Sequence, residues 1–230
     1  SYFYDLFIYH LIFIIFSLAF IICFMNEHNI IGAILAGGKS KRMGKDKLFL
    51  KLNNIPLIDH TIQKVKKYLK ELIIISNQEN EFFEKNNLTI VKDCIDGQLG
   101  PLVGILTAMK WAKENSPSCS WIASFPCDTP FFPEVIISKF IEESKQTKSL
   151  ILCASSHKRN HNIFGLWSIE LYDKLYNDLV NNKVRKVQDW TKANNIKNLE
   201  FEFKDYDPFF NINTYEDLEL AKNLSLKINK

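Results

Sequence analysis

Most of the residues able to do chemistry sit in or beside two glycine-bearing loops. Six of the eight glycines (Gly37, Gly38, Gly44, Gly97, Gly100 and Gly104) fall in these loops or at their edges. The first loop reads Leu35-Ala36-Gly37-Gly38-Lys39-Ser40-Lys41-Arg42-Met43-Gly44-Lys45-Asp46-Lys47. An apolar run that ends in Gly-Gly lets the backbone turn sharply and brings bare N–H groups against an anion. Lys39, Lys41, Arg42, Lys45 and Lys47 add the positive charge a polyphosphate needs. Arg42 suits a bidentate phosphate contact and Lys47 supplies a compact point charge. The spacing matches neither G-x-x-x-x-G-K-[ST] nor G-x-G-x-x-G. As charges alone the stretch is a solvated basic turn. As thirteen positions with fixed glycines it reads as an anion cradle.

Two carboxylates follow short apolar runs. Asp128 lies in Phe125-Pro126-Cys127-Asp128-Thr129-Pro130-Phe131, where a buried strand ends. One carboxylate completed by phosphate oxygens and waters is a normal Mg²⁺ shell, because Mg²⁺ keeps much of its hydration. The competing reading is an aspartate that caps the turn ahead of Pro130. Cys127 beside it has nothing near in sequence to make it a thiolate and reads as packing. Asp93 follows Thr89–Val91, and on the residues alone a loop carboxylate in water accounts for it equally well. Gly100-Pro101-Leu102-Val103-Gly104 opens a helix whose N-terminus and small residues allow close approach of a ligand.

The elements that must position these residues alternate between strands and helices. Continuous apolar runs predict buried strands at Ile30–Leu35, Leu72–Ile75, Thr89–Val91, Trp121–Phe125 and Leu150–Ala154. Helices are predicted over Pro56–Leu69 and Leu102–Ala112, and one with Pro133 at its first position. Phe164–Trp167, Leu199–Phe203 and Phe209–Ile212 read as extended, and Thr214 with Asp217 as a capping box opening a last helix at Tyr215. The βαβ-rich first half predicts an α/β fold with a mostly parallel central sheet, helices on both faces, and ligands at the carboxyl ends of the strands.

The first loop resembles the signature LAGG-x-S-x-RMG-x-DK of the molybdenum cofactor guanylyltransferases. DGQLGPLVGI (residues 96–105), FPCDTPF (125–131), FGLW (164–167) and FNINTYEDL (209–218) resemble further stretches of that family. The resemblance runs from about Ile30 to Leu224 and implies a Rossmann-like nucleotidyltransferase fold. It implies transfer of GMP from GTP to the phosphate of molybdopterin with release of pyrophosphate, and Mg²⁺ as cofactor. By the same resemblance Leu35, Ala36, Gly37, Gly38, Lys47, Ser76, Asn77, Asp93 and Asp128 take GTP. Asp128 holds the metal, and Arg42, Lys47 and Asp128 are catalytic. Guanine offers N1–H and N2 amine donors, which suits an ionised acceptor at Asp93. Ser76 departs from the asparagine some members carry there. Asn211 and Asn213, in the motif associated with the pterin, alternate onto one side of an extended chain. The polar, basic stretch Ser155–Asn162 is a candidate lid over the acceptor phosphate, with His161 a surface-loop residue, because the family's His-Pro is here His161-Asn162. Arg185 and Lys186 read as a solvated face. Molybdoenzyme apoproteins or their chaperones are implied as partners, nucleic acid is not, and the expected location is the cytoplasm. Cytidylyl transfer to molybdopterin, nucleotidyl transfer to a sugar phosphate, and GTP binding without chemistry remain alternatives.

Composition sets the outer limits. The 230 residues are 47% hydrophobic and 24% charged, which argues against disorder and against a disulfide scaffold. A net charge of +3 does not by itself call for a polyanionic partner. The five cysteines, Cys23, Cys94, Cys119, Cys127 and Cys153, form no C-x-x-C pair and read as reduced packing residues. Residues 1–24 carry no Lys or Arg, and the run from Leu6 to Met25 is almost wholly apolar. It reads first as an extension upstream of a start at Met25, second as a membrane anchor and third as a buried helix. Residues 25–230 form the expected nucleotidyltransferase domain, its N-terminal half for GTP and its C-terminal half for molybdopterin.

Overall fold

The computed structural model describes residues 30–37, 49–78, 81–97, 100–203 and 206–228. The apolar N-terminal stretch and most of the first glycine loop, with Gly38, Arg42 and Lys47, lie outside these residues. In chain order the strands are β1 (Ile30–Leu35), β2 (Lys51–Leu52), β3 (Ile55–Pro56), β4 (Leu72–Ile75), β5 (Thr89–Val91), β6 (Trp121–Pro126), β7 (Ile151–Ser156), β8 (Arg159–Ser168) and β9 (Lys197–Glu200). The helices are α1 (Leu57–Lys66), α2 (Glu81–Lys85), α3 (Pro101–Asn115), α4 (Val135–Ser144), α5 (Tyr172–Val180), α6 (Val187–Ala193) and α7 (Tyr215–Ile228).

Seven strands form one sheet in the order β5-β4-β1-β6-β8-β7-β9. The pairings are parallel except along β8, which runs antiparallel to both β6 and β7. Because both faces are covered, its central parallel strands β1, β4 and β6 are almost wholly apolar, with Ser124 of β6 the polar exception. In β1, Ile30 and Ile34 face one core and Ile31, Ala33 and Leu35 the other. The first core is closed by Ile58, Ile62 and Val65 of α1 and by Ile136, Ile137 and Phe140 of α4. The second is closed by α3, α5 and α6, through residues such as Leu106, Leu175 and Trp190. A smaller cluster of Leu52, Leu57, Ile212, Leu218 and Ala221 fastens the β2–β3 hairpin and α7 to the body.

The expected α/β architecture with helices on both faces is therefore present. Several boundaries differ. Pro133 is not the first residue of α4; it lies before the helix and accepts from Ile136 N–H at 3.2 Å. The Leu199–Phe203 strand shifts to Lys197–Glu200, and Phe209–Ile212 joins no sheet. Ile212 instead donates its N–H to the Asp128 carbonyl at 2.9 Å. The capping box is formed: Asp217 N–H donates to Thr214 Oγ1 at 3.1 Å, and Thr214 N–H to Asp217 Oδ2 at 2.9 Å. Among the described residues no helix is long and apolar enough to cross a membrane.

Candidate active site

Register builds the site. Leu35 at the end of β1 lies opposite Ile75 of β4 and Pro126 of β6, and Ile75 lies opposite Val91 of β5. All four strands run parallel, so the residues that follow them leave the sheet along one edge. Ala36-Gly37, Ser76-Asn77, Asp93 and Asp128 thus line that edge from four separate segments. Two bonds carry the alignment past the strands: Ala36 N–H to the Ile75 carbonyl at 2.9 Å and Ser76 N–H to the Val91 carbonyl at 3.1 Å. A Cβ added to Gly37 would meet none of the described atoms within 4 Å, so its lack of a side chain serves no packing contact.

Asn77 and Asp93 hold one another. Asn77 Nδ2 donates to Asp93 Oδ2 at 2.8 Å, and Asp93 N–H donates to Asn77 Oδ1 at 2.9 Å. This two-bond ring fixes the direction of the carboxylate. The next residue is anchored too, since Cys94 N–H donates to Thr107 Oγ1 on α3 at 2.9 Å. Ser76 is buried, and its hydroxyl accepts from Gln78 N–H at 3.1 Å, so the side chain shapes the turn that presents Asn77. Gly100, with φ of +86°, starts α3 in a backbone conformation a side chain would strain.

Asp128 is half-buried just beyond β6. The hydroxyl of the fully buried Thr129 lies 2.6 Å from Asn211 Oδ1 and 3.2 Å from Asp128 Oδ1. Its one proton serves one acceptor at a time, and the shorter contact is to the amide. With the Ile212–Asp128 backbone bond, this ties the Asn211-Ile212-Asn213 segment to the aspartate loop. Asn211 and Asn213 are exposed on either side of buried Ile212, so the expected alternation holds without a strand. Among the described residues no three His, Cys, Asp or Glu side chains gather to hold a metal. A carboxylate just beyond the carboxyl end of β6 fits a hard cation that shares its shell with phosphate oxygens and water.

One reading of the acceptor side needs correction. Ser155–Asn162 is the tip of the β7–β8 hairpin, turning through His157 and Lys158 with φ of +48° and +61°. His161 lies within β8, stacked on Phe209 with ring centroids 3.7 Å apart and its Nε2 2.8 Å from Ser156 Oγ. Burial pushes its pKa down to about 4, so the ring is neutral at physiological pH. Arg185 and Lys186 are exposed, as expected of a solvated face, and the Arg185 guanidinium also donates to the Leu179 and Val184 carbonyls at 2.7 Å, closing the C-terminal end of α5. Cys127 packs against the first core as expected. Burial raises the Cys119 thiol to about 11 and the Cys153 thiol higher still, leaving both inert.

A parallel sheet that delivers a glycine turn, the bonded amide–carboxylate pair of Asn77 and Asp93, and the Asp128 carboxylate to one edge is the frame of a nucleotidyltransferase. The chain belongs to the family of the MobA-like NTP transferase domain, which matches residues 32–195. It is 34% identical to a molybdenum cofactor guanylyltransferase of Mesorhizobium japonicum over 202 residues, covering 86% of this chain and 97% of that one. It is 31% identical to the protein of the same name from Nitrobacter hamburgensis over 195 residues, covering 84% and 93%. The fold is shared with molybdopterin-guanine dinucleotide biosynthesis protein A of Archaeoglobus fulgidus, at a TM-score of 0.65 and 18% identity over 85% of this chain and 98% of that one. It is also shared with a 4-diphosphocytidyl-2C-methyl-D-erythritol synthase of Anaerococcus prevotii, at 0.66 and 15% over 87% and 97%.

Proposed function

We propose that residues 25–230 transfer GMP from GTP to the terminal phosphate of molybdopterin, releasing pyrophosphate and forming the guanine dinucleotide of the cofactor. The observation that carries this reading is the tether between the two sides of the site. Asn77, Asp93 and Gly37 stand on the nucleotide side, and Asn211 on the acceptor side is bonded to the residue next to Asp128. An acceptor phosphate oxygen forms the new bond to the α-phosphorus as the bridging oxygen to pyrophosphate departs. The acceptor phosphate is already ionised at neutral pH and needs no strong base. Catalysis is then positioning and charge neutralisation.

Leu35, Ala36, Gly37 and Gly38 wrap the phosphates, while Arg42 and Lys47 neutralise the α- and β-phosphate charge. Asp93, aimed by Asn77 and the Ser76 turn, accepts from guanine. Asn211 and Asn213 take the pterin. Asp128 holds Mg²⁺, which when bound supplies positive charge to the phosphates. The product passes to molybdoenzyme apoproteins or their chaperones in the cytoplasm.

The test is pyrophosphate release with molybdopterin present and GTP or CTP offered in turn. Release with GTP alone supports the proposal; preference for CTP overturns the base assignment, and tight GTP binding without release overturns the chemistry. Asp128→Ala is expected to lower kcat by about a hundredfold or more, the scale of losing a group that stabilises charge in the transition state.

A further inference from the structure

One face of α1 grips the whole segment that carries Asp128. The hydroxyl of fully buried Thr61 donates to the Pro126 carbonyl at 3.4 Å. One helical turn later, Lys64 Nζ donates to the Pro130 carbonyl at 2.6 Å and the Phe132 carbonyl at 2.7 Å, and sits 4.7 Å above the Phe132 ring. Just past the helix, Lys67 Nζ bonds Glu134 Oε1 at 2.6 Å, and Tyr68 OH donates to Glu134 Oε2 at 3.3 Å. Thr61, Lys64 and Tyr68 follow the spacing that places residues on one helix face. Their partners run from the residue before Cys127-Asp128 to the residue before α4.

Between β6 and α4 the chain forms turns without a strand or helix, so the Pro130 and Phe132 carbonyls have no ladder to join. Buried carbonyls must find donors. Lys64 serves both with a single compact ammonium, a geometry its freely rotating donors allow. The arrangement bears a cost, since burial lowers the Lys64 pKa to about 8, against the opposing pull of Glu134 and with a further push from Lys67. A loop that only needed packing would be held more cheaply by a neutral amide.

From this geometry we infer that Lys64 is a positioning residue for the metal-binding carboxylate: clamped on the Pro130 and Phe132 carbonyls, it holds the turn that aims Asp128 at the bound cation. The inference rests on the assignment of Asp128 as the Mg²⁺ ligand. Lys64 touches neither nucleotide nor acceptor; it acts through the loop.

The experiment titrates Mg²⁺ in the pyrophosphate-release assay for wild type, Lys64→Met, Lys64→Arg and Asp128→Ala. Lys64→Met is expected to raise the half-saturating Mg²⁺ concentration by about tenfold, the usual effect of losing a supporting partner of a ligand. GTP binding measured without metal should be unchanged. In wild type the half-saturating Mg²⁺ should rise between about pH 7 and about pH 9 as the ammonium loses its proton, beside Glu134, Lys67 and His60 as neighbouring titratable groups. Lys64→Arg, which keeps its charge throughout, should be flat over that range. A Lys64→Met titration that overlays wild type, or identical pH profiles for wild type and Lys64→Arg, overturns the inference; the second comparison stands even where Lys64→Met does not fold. Unchanged Mg²⁺ dependence in Asp128→Ala would instead sink the metal assignment, and the inference with it.

Discussion

His161 shows how a single ring reports on its surroundings. It lies in β8 between the Phe209 ring and the Ser156 hydroxyl, with Asp207 and Glu200 pulling its pKa up and Arg159 and His157 pushing it down. Burial outweighs all four, and the folded state favours the neutral ring with a pKa of about 4 against 6.5 when unfolded. Protons therefore bind the unfolded chain more readily between these values. The stabilisation is complete above about pH 6.5 and is lost as pH falls toward about 4. Thermal melts from neutral to acid pH should show Tm falling across that window, and His161→Phe, which keeps the stack, should flatten the fall; an unaltered slope would contradict the assignment. None of this is legible in the sequence, because Ser156, His161 and Phe209 come from separate elements and meet only in the fold. The same holds for Lys64 and the carbonyls it serves. The places of Asp128 and Asp93 just past the carboxyl ends of β6 and β5 were legible because each closely follows an apolar run, and a parallel strand leaves little freedom in where its next residues emerge.

At the scale of elements, β8 separates what pattern can show from what it cannot. Its second half reads as a strand. Its first half does not, because a bulge between the Cys153–Gly165 and Ala154–His161 pairs breaks the alternation. The β2–β3 hairpin is equally hidden, being two residues a side around Asn53 and Asn54, both at positive φ. α2 and α6 are too short to show a clear period. Gly165 marks the point where β8 is most tightly fitted. A Cβ there would lie 2.8 Å from Trp167 Nε1 and 2.9 Å from two ring carbons. That indole is fully buried and donates to Ser124 Oγ at 2.8 Å, so it has no room to retreat. Gly165→Ala is expected to cost about 1–3 kcal/mol, the range for overfilling a packed core. Urea denaturation would measure it, and a loss near zero would show that the ring moves freely.

The two large cores share the strands β1, β4 and β6, one on each side of the same sheet. Neither can lose its floor without exposing the other. Trp167 and Trp190 lie in the second core, while helices on both faces contribute to far-ultraviolet circular dichroism. The midpoints of urea unfolding followed by tryptophan fluorescence and by circular dichroism are therefore expected to coincide. Separate midpoints would mean that the faces come apart independently. The outer boundary of the sheet has its own consequence. β9 is four residues long, and three of them are exposed. Its Lys197 is paired with Glu143 of α4, and its Glu200 accepts from Ser155 Oγ. A foreign chain trying to extend the sheet from that margin would gain only a few backbone bonds and would have to dislodge charges already engaged. The rim therefore guards against fibrous aggregation, so the molecule can remain dispersed when crowded among its own copies.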